Sequence, residues 1–131
     1  MKYLLDTNTC IFLMKNIASV VEQYKAKSHW GVSISTITAA ELYYGVYNST
    51  HFDKNAENLA KFLLGLGISE FDDAAAIEYG RIRAALRRQG TPVGSMDILI
   101  AAHAQSMNLT LVTDNTREFA RIKGLSVENW M

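Results

Sequence analysis

Short, mostly apolar runs alternate with longer amphipathic segments, and this alternation constrains the fold more than any other feature of the sequence. The runs Tyr3-Leu4-Leu5 and Leu109-Thr110-Leu111-Val112 are nearly all apolar, as expected for strands covered on both faces. Three further runs predict strands at 32–34, 68–71 and 125–127. Strands that alternate with helices pair in parallel through right-handed crossovers. The sequence therefore predicts an α/β protein, a three-layer α/β/α sandwich around a central parallel sheet of about five strands.

Seven helical segments are predicted between these strands. In the longest of them, Ala75, Tyr79, Ile82 and Leu86 form one apolar stripe at helical spacing, and Gly90 ends the pattern. An apolar stripe of this kind is expected to face the sheet. The predicted helices cover residues 8–15, 17–27, 36–48, 52–65, 73–89, 96–107 and 115–122.

Length and composition set the class of protein. The 131 residues suit one domain over 1–131, and 49% hydrophobic with 20% charged residues is a globular composition. The single Cys10 excludes a disulfide framework and suits a reducing compartment. No apolar run approaches the roughly 18 residues of a membrane span, and Asp6 interrupts any signal peptide, so a cytoplasmic protein without membrane contact is expected. With 13 basic and 13 acidic residues, the formal charge of zero argues against coating nucleic acid by bulk charge.

Four acidic residues stand where a site is expected in such a sheet, beyond the carboxyl ends of the strands. Asp6 directly follows the first predicted strand, and Asp114 comes just after the fourth. Glu41 lies in the helix after the second strand, and Asp97 opens the helix before the fourth. Almost no polar residue flanks Asp97, and an ionised carboxylate in such surroundings needs a partner or a metal ion.

Each of these acids also has an ordinary structural explanation. Asp6 and Asp114 fit N-caps that accept hydrogen bonds from the helices that follow them. Asp97 fits a first-turn acid stabilised by the helix dipole, with Ser95 as the cap, and Thr38-x-x-Glu41 matches a capping box. The complete set is harder to explain in this way. Carboxylates that project towards one sheet edge repel one another strongly unless a cation lies between them.

A hard divalent cation fits this set of acids. Mg²⁺ or Mn²⁺ takes oxygen ligands and leaves coordination positions for water and a substrate phosphate. The chemistry that such a site serves is phosphodiester hydrolysis, in which the metal activates water and neutralises charge on the phosphate oxygens. Because an all-carboxylate site has no nucleophile at neutral pH, water is the attacking group and one carboxylate accepts its proton. The candidate catalytic residues and metal ligands are Asp6, Glu41, Asp97 and Asp114.

Four segments of the chain, taken in order, resemble a PIN domain, and more narrowly the VapC toxins of bacterial VapBC toxin–antitoxin systems. The resemblance runs from the first strand to Trp130, which is essentially the whole chain, and leads us to expect a single PIN domain. The ordered set is far more specific than any one of its members. The segments are Leu4-Leu5-Asp6-Thr7-Asn8, Ala40-Glu41, Asp97–Ala104 and Val112–Phe119.

The resemblance implies a PIN-like sandwich and a Mg²⁺- or Mn²⁺-dependent endoribonuclease. Such a toxin cuts structured RNA, typically a tRNA anticodon stem-loop or a ribosomal loop, and stops translation; the nearest branch by eye attacks initiator tRNA. Asp6 and Asp97 correspond to the central metal ligands, Glu41 contributes to metal binding, and Asp114 is the fourth acid. Polar neighbours that would orient the carboxylates or contact substrate are Asn8, Thr113 and Asn115.

The resemblance also implies partners. VapC proteins form homodimers and assemble into hetero-oligomers with a VapB antitoxin. The C-terminal tail of that antitoxin lies along the toxin and can send a basic side chain into the acidic site. The assembled complex binds operator DNA, but only through the antitoxin.

Arginine is confined to one part of the chain, since all six arginines lie between positions 81 and 121. The rigid guanidinium fork matches phosphate oxygens better than a lysine does. Arg83 with Arg87, and Arg81 with Arg88, form two ridges on the longest predicted helix, and Arg117 follows the fourth strand. We expect one ridge or Arg117 to contact RNA phosphates, and a plain solvated face is the alternative. Without the four site acids, nine acidic residues face 13 basic ones, so the body around the site is mildly basic.

Three other functions remain open on the sequence. A phosphatase could use Asp6 as its nucleophile, although Asn8 stands where Asp-x-Asp phosphatases carry a second acid. A binding module that keeps only the fold is possible, but four intact acids argue against it. An RNA-processing nuclease of the same fold is the third, and the lack of an appended RNA-binding domain favours the toxin.

Overall fold

The computed structural model describes all 131 residues, and its centre is a five-stranded parallel sheet. The strands are β1 (Tyr3–Leu5), β2 (Val32–Ser35), β3 (Gly67–Ser69), β4 (Thr110–Val112) and β5 (Val127–Glu128). Their spatial order is β3-β2-β1-β4-β5, and every neighbouring pair is parallel. The predicted α/β class with about five parallel strands is therefore confirmed.

Seven α-helices connect the strands, and a short 3₁₀ turn at Ser28–Trp30 leads into β2. The last helix is shorter than the predicted 115–122, because from Arg121 onward the backbone continues in i→i−3 turns instead of helical i→i−4 bonds. No helix is both long and apolar enough to span a bilayer. The helices are α1 (Thr7–Met14), α2 (Ala18–Lys27), α3 (Thr36–Tyr47), α4 (Phe52–Leu64), α5 (Asp73–Gln89), α6 (Ser95–Ser106) and α7 (Thr116–Phe119).

Two strand boundaries differ from the prediction by two residues. Strand β3 ends at Ser69, before the predicted Phe71, whose backbone N–H donates to Thr36 Oγ1 at 3.2 Å. That N–H is consequently not available to the sheet ladder. Strand β5 begins only at Val127, because the backbone N–H of Leu125 closes a turn instead of pairing with β4.

Apolar side chains cover the sheet on both faces, which gives the predicted three layers. Leu4 of β1 belongs to a core formed with α5, α6 and α7. Its neighbours Tyr3 and Leu5 belong to a second core on the opposite face, with α1 to α4. Trp130 is 2% exposed and packs edge-on against Tyr3 at a ring distance of 5.4 Å, so the residues after β5 close this second core.

The sheet has one topological switch point, between β1 and β4. From β1 the chain adds β2 and β3 on one side, and then returns to add β4 and β5 on the other. Connections leave the carboxyl ends of β1 and β4 in opposite directions, which opens a crevice of the kind that binds ligands in parallel sheets. The backbone N–H of Asp6 donates to the carbonyl of Val112 at 3.0 Å and extends this pairing to the mouth of the crevice.

The helix caps correct three of the structural explanations that the sequence allows. Helix α3 is capped by Ser35, whose Oγ accepts the backbone N–H of Ile37 at 3.0 Å, so Thr38 lies inside the helix and forms no capping box with Glu41. Helix α6 starts at Ser95 itself, with Gly94 before it and no side-chain cap. Asp114 caps no helix, because α7 starts two residues later.

Candidate metal centre

Asp6 holds two positions at once, at the end of β1 and at the N-cap of α1. Its Oδ1 accepts the backbone N–H of Thr9 at 2.8 Å, and the residue is 7% exposed. Burial raises the pKa of the Asp6 carboxyl, hydrogen bonds from Thr113 and Thr9 oppose this shift, and the charge of Asp114 adds slightly to it. The capping explanation is thus correct for Asp6, but a cap alone does not require a buried carboxylate near other acids.

Asp97 lies in the first turn of α6, half-buried, and its electrostatics identify its neighbours. Burial raises the pKa of this carboxyl most, and the negative charges of Glu118, Asp6 and Glu41 add to the shift in that order, so that the pKa reaches about 6. Three other elements of the fold therefore bring a carboxylate close to α6. Asp6, Glu41 and Asp97 are among the four acids that the sequence places beyond the carboxyl ends of the strands, and their role as metal ligands stays a prediction.

Glu41 projects from α3 towards the start of α1. Its Oε1 accepts a hydrogen bond from Thr7 Oγ1 at 2.6 Å, which ties together residues 34 positions apart in the chain. Thr7 directly follows Asp6, so one turn of backbone supports both carboxylates. The other oxygen of Glu41 accepts no hydrogen bond from the protein.

Asp114 lies in the exposed turn between β4 and α7. The buried Thr113 beside it has a hydroxyl that accepts the backbone N–H of Asn115 at 3.0 Å and also hydrogen-bonds to Asp6. The structure therefore places Asp114 near Asp6, but more open to solvent than the other three predicted acids.

Glu118 is a fifth acid that the sequence analysis left out of the site. Its Oε2 accepts Nδ2 of Asn115 at 2.7 Å, and its Oε1 accepts the backbone N–H of Gly94 at 3.2 Å. Of the charges that raise the pKa of Asp97, that of Glu118 is the largest. No local pattern pointed to it, because its hydrogen bond to the Gly94 backbone joins residues 24 positions apart.

The other predicted site residues differ in how they relate to the acids. Asn115 orients Glu118, as described, whereas Asn8 is exposed on α1 and donates no side-chain hydrogen bond. Arg117 is exposed on α7 and forms no ion pair within the protein. Arg83 and Arg87 are exposed on α5 and line a cleft with the segment that connects α5 to α6.

The donor set of this centre fits a hard divalent cation. All five carboxylates lack a basic partner, because the three ion pairs of the protein involve Glu128, Glu57 and Glu78. No group of three or more Asp, Glu, His or Cys side chains lies close enough to hold a metal ion by itself. Mg²⁺ does not need such a group, since it keeps several waters and is bound through one or two carboxylates.

Metal-free protein is expected to lose stability as the pH rises from about 4 to about 6. An unfolded chain ionises Asp97 near its ordinary pKa of 3.8, whereas the folded protein holds that proton up to about 6. In this window the folded state binds more protons, so its stability falls with rising pH and levels off above about 6. Melting temperatures in EDTA across this range, for the native chain and for Asp97→Asn, measure the effect.

The asparagine variant supplies the reference for this titration. It is expected to melt with the native chain near pH 4 and above it from about pH 6 upward, because only the native chain must ionise a buried carboxyl. A difference in melting temperature that stays constant with pH would contradict the elevated pKa.

Fold and site together define a parallel α/β protein with a carboxylate-lined, cation-attracting centre at the switch point of its sheet. Comparison with known proteins agrees, since residues 3–125 match the family model of the PIN domain. The tRNA(fMet)-specific endonuclease VapC of Shigella flexneri is 42% identical over 130 residues, covering 99% of this chain and 98% of the relative. The chain belongs to the PIN-domain family and, within it, to the VapC proteins.

Solved structures agree with this assignment over the full length. VapBC2 from Rickettsia felis, bound to a DNA fragment from its promoter, superposes with a TM-score of 0.95 at 38% identity and covers 100% of both chains. DNA-bound VapBC from Salmonella typhimurium gives 0.95 at 43% identity, over 100% of this chain and 99% of that chain. The predicted fold and family are confirmed.

Proposed function

We propose that the protein is the toxin of a VapBC-type toxin–antitoxin system and hydrolyses phosphodiester bonds in structured RNA with the help of a divalent cation. The observation that carries this proposal is the gathering of Asp6, Glu41 and Glu118 around Asp97 without one basic side chain to neutralise them. The relative from Shigella flexneri is named for cleavage of tRNA(fMet), which makes initiator tRNA the first RNA to test.

Asp6 and Asp97 are proposed as the central ligands of Mg²⁺ or Mn²⁺, with Glu41 and Asp114 beside them. When bound, the ion lowers the pKa of a water molecule and neutralises charge on the scissile phosphate. Thr9 and Thr113 hold the carboxylate of Asp6 by hydrogen bonds. Because these hydrogen bonds already orient the carboxylate, its side chain needs little rearrangement when the ion binds.

Water is the attacking group in this proposal. The only cysteine, Cys10, is fully buried in the core, and His103 is 1% exposed and hydrogen-bonded to the buried Ser35, so neither can reach a substrate. Glu41 is the candidate proton acceptor, because Thr7 occupies only its Oε1. Glu118 is held at both oxygens, by Asn115 and by the Gly94 backbone, and is better placed to orient than to accept a proton.

The proposed partners follow the same assignment. A VapB-type antitoxin would neutralise the acidic centre by inserting a basic side chain, and the hetero-oligomer would contact operator DNA through the antitoxin. The two DNA-bound VapBC structures support this arrangement for their own proteins. A homodimeric, cytoplasmic toxin formed by one domain over 1–131 completes the proposal, in which Asn8 contacts substrate from the rim of the site.

Mapping of RNA 5′ ends tests the proposed function directly. Brief induction in cells that lack the antitoxin is expected to produce new 5′ ends in one tRNA anticodon loop, and purified protein should reproduce them with Mg²⁺ but not with EDTA. Cleavage that persists in EDTA would contradict the metal-dependent mechanism. A phosphorylated Asp6 would indicate a phosphatase, and intact RNA in every condition would leave only a binding module.

We also propose that Arg83 and Arg87, with Arg117, contact the phosphates that flank the cleaved bond. Arg83 and Arg87 line a cleft of about 460 Å³ whose other wall is the 90–93 segment and Ile98, the residue that follows Asp97. The guanidinium of Arg83 lies over the Tyr79 ring at 5.9 Å and donates to its hydroxyl at 2.9 Å, so it is held in place. Neither arginine pairs with a carboxylate.

The other arginine ridge provides a control with the same change in net charge. Arg81 is already paired with Glu78. The double variant Arg83→Gln/Arg87→Gln is expected to weaken RNA binding and to lower the slope of log K against log salt by about 1.4, or about 0.7 for each lost phosphate contact on single-stranded RNA. Arg81→Gln/Arg88→Gln should leave that slope unchanged, and equal slopes in the two double variants would refute the assignment.

A further inference from the structure

His103 is a buried titratable residue that the metal centre does not use, and its side chain hydrogen-bonds to a residue that precedes another helix with a site acid. It lies on α6, six residues beyond Asp97, and is 1% exposed. Its Nδ1 lies 2.7 Å from Oγ of Ser35, a residue 68 positions away in the chain. The bond is fully enclosed, since Ser35 is 0% exposed.

Ser35 is the N-cap residue of α3. Its Oγ accepts the backbone N–H of Ile37 at 3.0 Å, so one hydroxyl group both caps α3 and binds the histidine of α6. Glu41 follows Ser35 by six residues on this helix. The Ser35–His103 bond therefore fastens the start of the helix that carries Glu41 to the helix that carries Asp97.

The segment after β3 covers this bond from outside. The Phe71 ring meets the His103 ring edge-on at 5.5 Å, and the backbone N–H of Phe71 donates to Thr36 Oγ1 at 3.2 Å. Burial lowers the pKa of His103, against the charge of Asp72 and the backbone of Glu70, which both raise it. The imidazole is consequently neutral, and a hydroxyl can pair with Nδ1 in either tautomer because it both donates and accepts.

We propose that His103 and Ser35 are positioning residues for the metal centre: their hydrogen bond sets the separation of Glu41 and Asp97 and thereby the affinity for the divalent cation. The inference rests on the metal site of the proposed function. Neither residue touches the cation or the RNA, and their effect passes through the relative placement of α3 and α6. Residues that orient ligands from behind commonly change metal affinity when they are replaced.

Two pairs of variants separate positioning from packing. His103→Asn places an amide atom where Nδ1 of histidine lies, whereas His103→Leu fills the space with methyl groups only. Ser35→Thr keeps both the cap and the hydroxyl, whereas Ser35→Ala removes both. The matched control is Thr38→Val, which deletes a fully buried hydroxyl on the same helix that has no hydrogen-bond partner.

The readout is Mn²⁺ affinity, measured on the full chain by electron paramagnetic resonance without RNA, together with melting temperatures in EDTA. His103→Leu and Ser35→Ala are expected to bind Mn²⁺ about fivefold more weakly, the factor for one lost hydrogen bond. His103→Asn, Ser35→Thr and Thr38→Val should stay within about twofold of the native chain. If His103→Leu does not fold, the serine pair decides alone.

Each other outcome counts against the inference. Native affinity in all variants would overturn it, and so would an equal loss in His103→Asn and His103→Leu, which would trace to packing. A native chain that binds no Mn²⁺ would instead refute the proposed function.

Discussion

Replacement of Asp97 by asparagine is expected to reduce RNA cleavage by a factor on the order of 100 to 1000 at saturating Mg²⁺, while the protein remains folded. Asparagine keeps the shape of the side chain but removes the negative charge on which the potentials of Glu118, Asp6 and Glu41 converge. The cation would lose a charged ligand, and the charge that develops on the phosphate in the transition state would lose part of its stabilisation. Initial rates on a tRNA substrate over a Mg²⁺ titration measure this effect.

The stability of the same variant separates catalysis from folding. Asp97 makes no hydrogen bond within the protein and caps no helix, because Gly94 occupies the cap position of α6. Its burial raises the pKa, so the neutral amide relieves a desolvation cost, and the variant should melt at or above the native temperature in EDTA at pH 7.5. Asp73→Asn, a change of an exposed first-turn acid on α5, is the control for the charge change.

Two outcomes would contradict this role. Cleavage within about tenfold of native at saturating Mg²⁺ would assign the metal to other acids, with Asp97 as a bystander. A variant that unfolds in EDTA would show that Asp97 supports the fold. A loss of activity of the same size in Asp73→Asn would show that the effect does not come from the proposed metal centre.

The sheet and three of its acids could be predicted because local pattern and topology agree there. Strand β1 is buried on both faces, so its apolar run is unambiguous, and the first residue after it, Asp6, must emerge at the carboxyl edge. Parallel connections then bring the end of β4 beside it. No residue-level detail was needed to place Asp6 near Asp97, only the rule that such edges collect functional groups.

Glu118 shows where this reasoning ends. Its place in the site depends on hydrogen bonds to Asn115 and to the Gly94 backbone, and the second of these spans 24 residues. Local sequence around α7 gives an ordinary four-residue helix with one acid. The contact between α7 and the loop before α6 is a long-range tertiary contact, which the hydrophobic periodicity of the sequence does not encode.

The cap interpretations for helices α3, α6 and α7 were wrong for a related reason. The sequence Thr38-x-x-Glu41 matches a capping box, but Ser35 caps α3 three residues earlier because β2 ends there. Which of several polar residues becomes the cap depends on where the preceding strand stops pairing, and this is set by the neighbouring strands. Glu41 caps no helix, and its carboxylate accepts a hydrogen bond from Thr7 in the site instead.

Asp6 combines a capping role with a proposed ligand role, and a substitution series can divide them. Its Oδ1 accepts the Thr9 N–H, which stabilises the first turn of α1, and it lies with Asp97 and Asp114 at the switch point. Asparagine caps helices about as well as aspartate, whereas alanine does not. The two substitutions should therefore affect activity alike and stability differently.

Asp6→Asn is expected to abolish Mg²⁺-dependent cleavage, by a factor on the order of 100 to 1000, and to keep or raise the melting temperature in EDTA, because burial of a charged carboxyl is avoided. Asp6→Ala should abolish cleavage equally and also lose about 1 kcal/mol of folding free energy with the cap. Urea unfolding in EDTA, beside rates on the same tRNA, measures both quantities. If Asp6→Asn cleaves like the native chain while Asp6→Ala unfolds, the carboxylate serves the helix alone; the proposed ligand role requires that the neutral cap be folded and inactive.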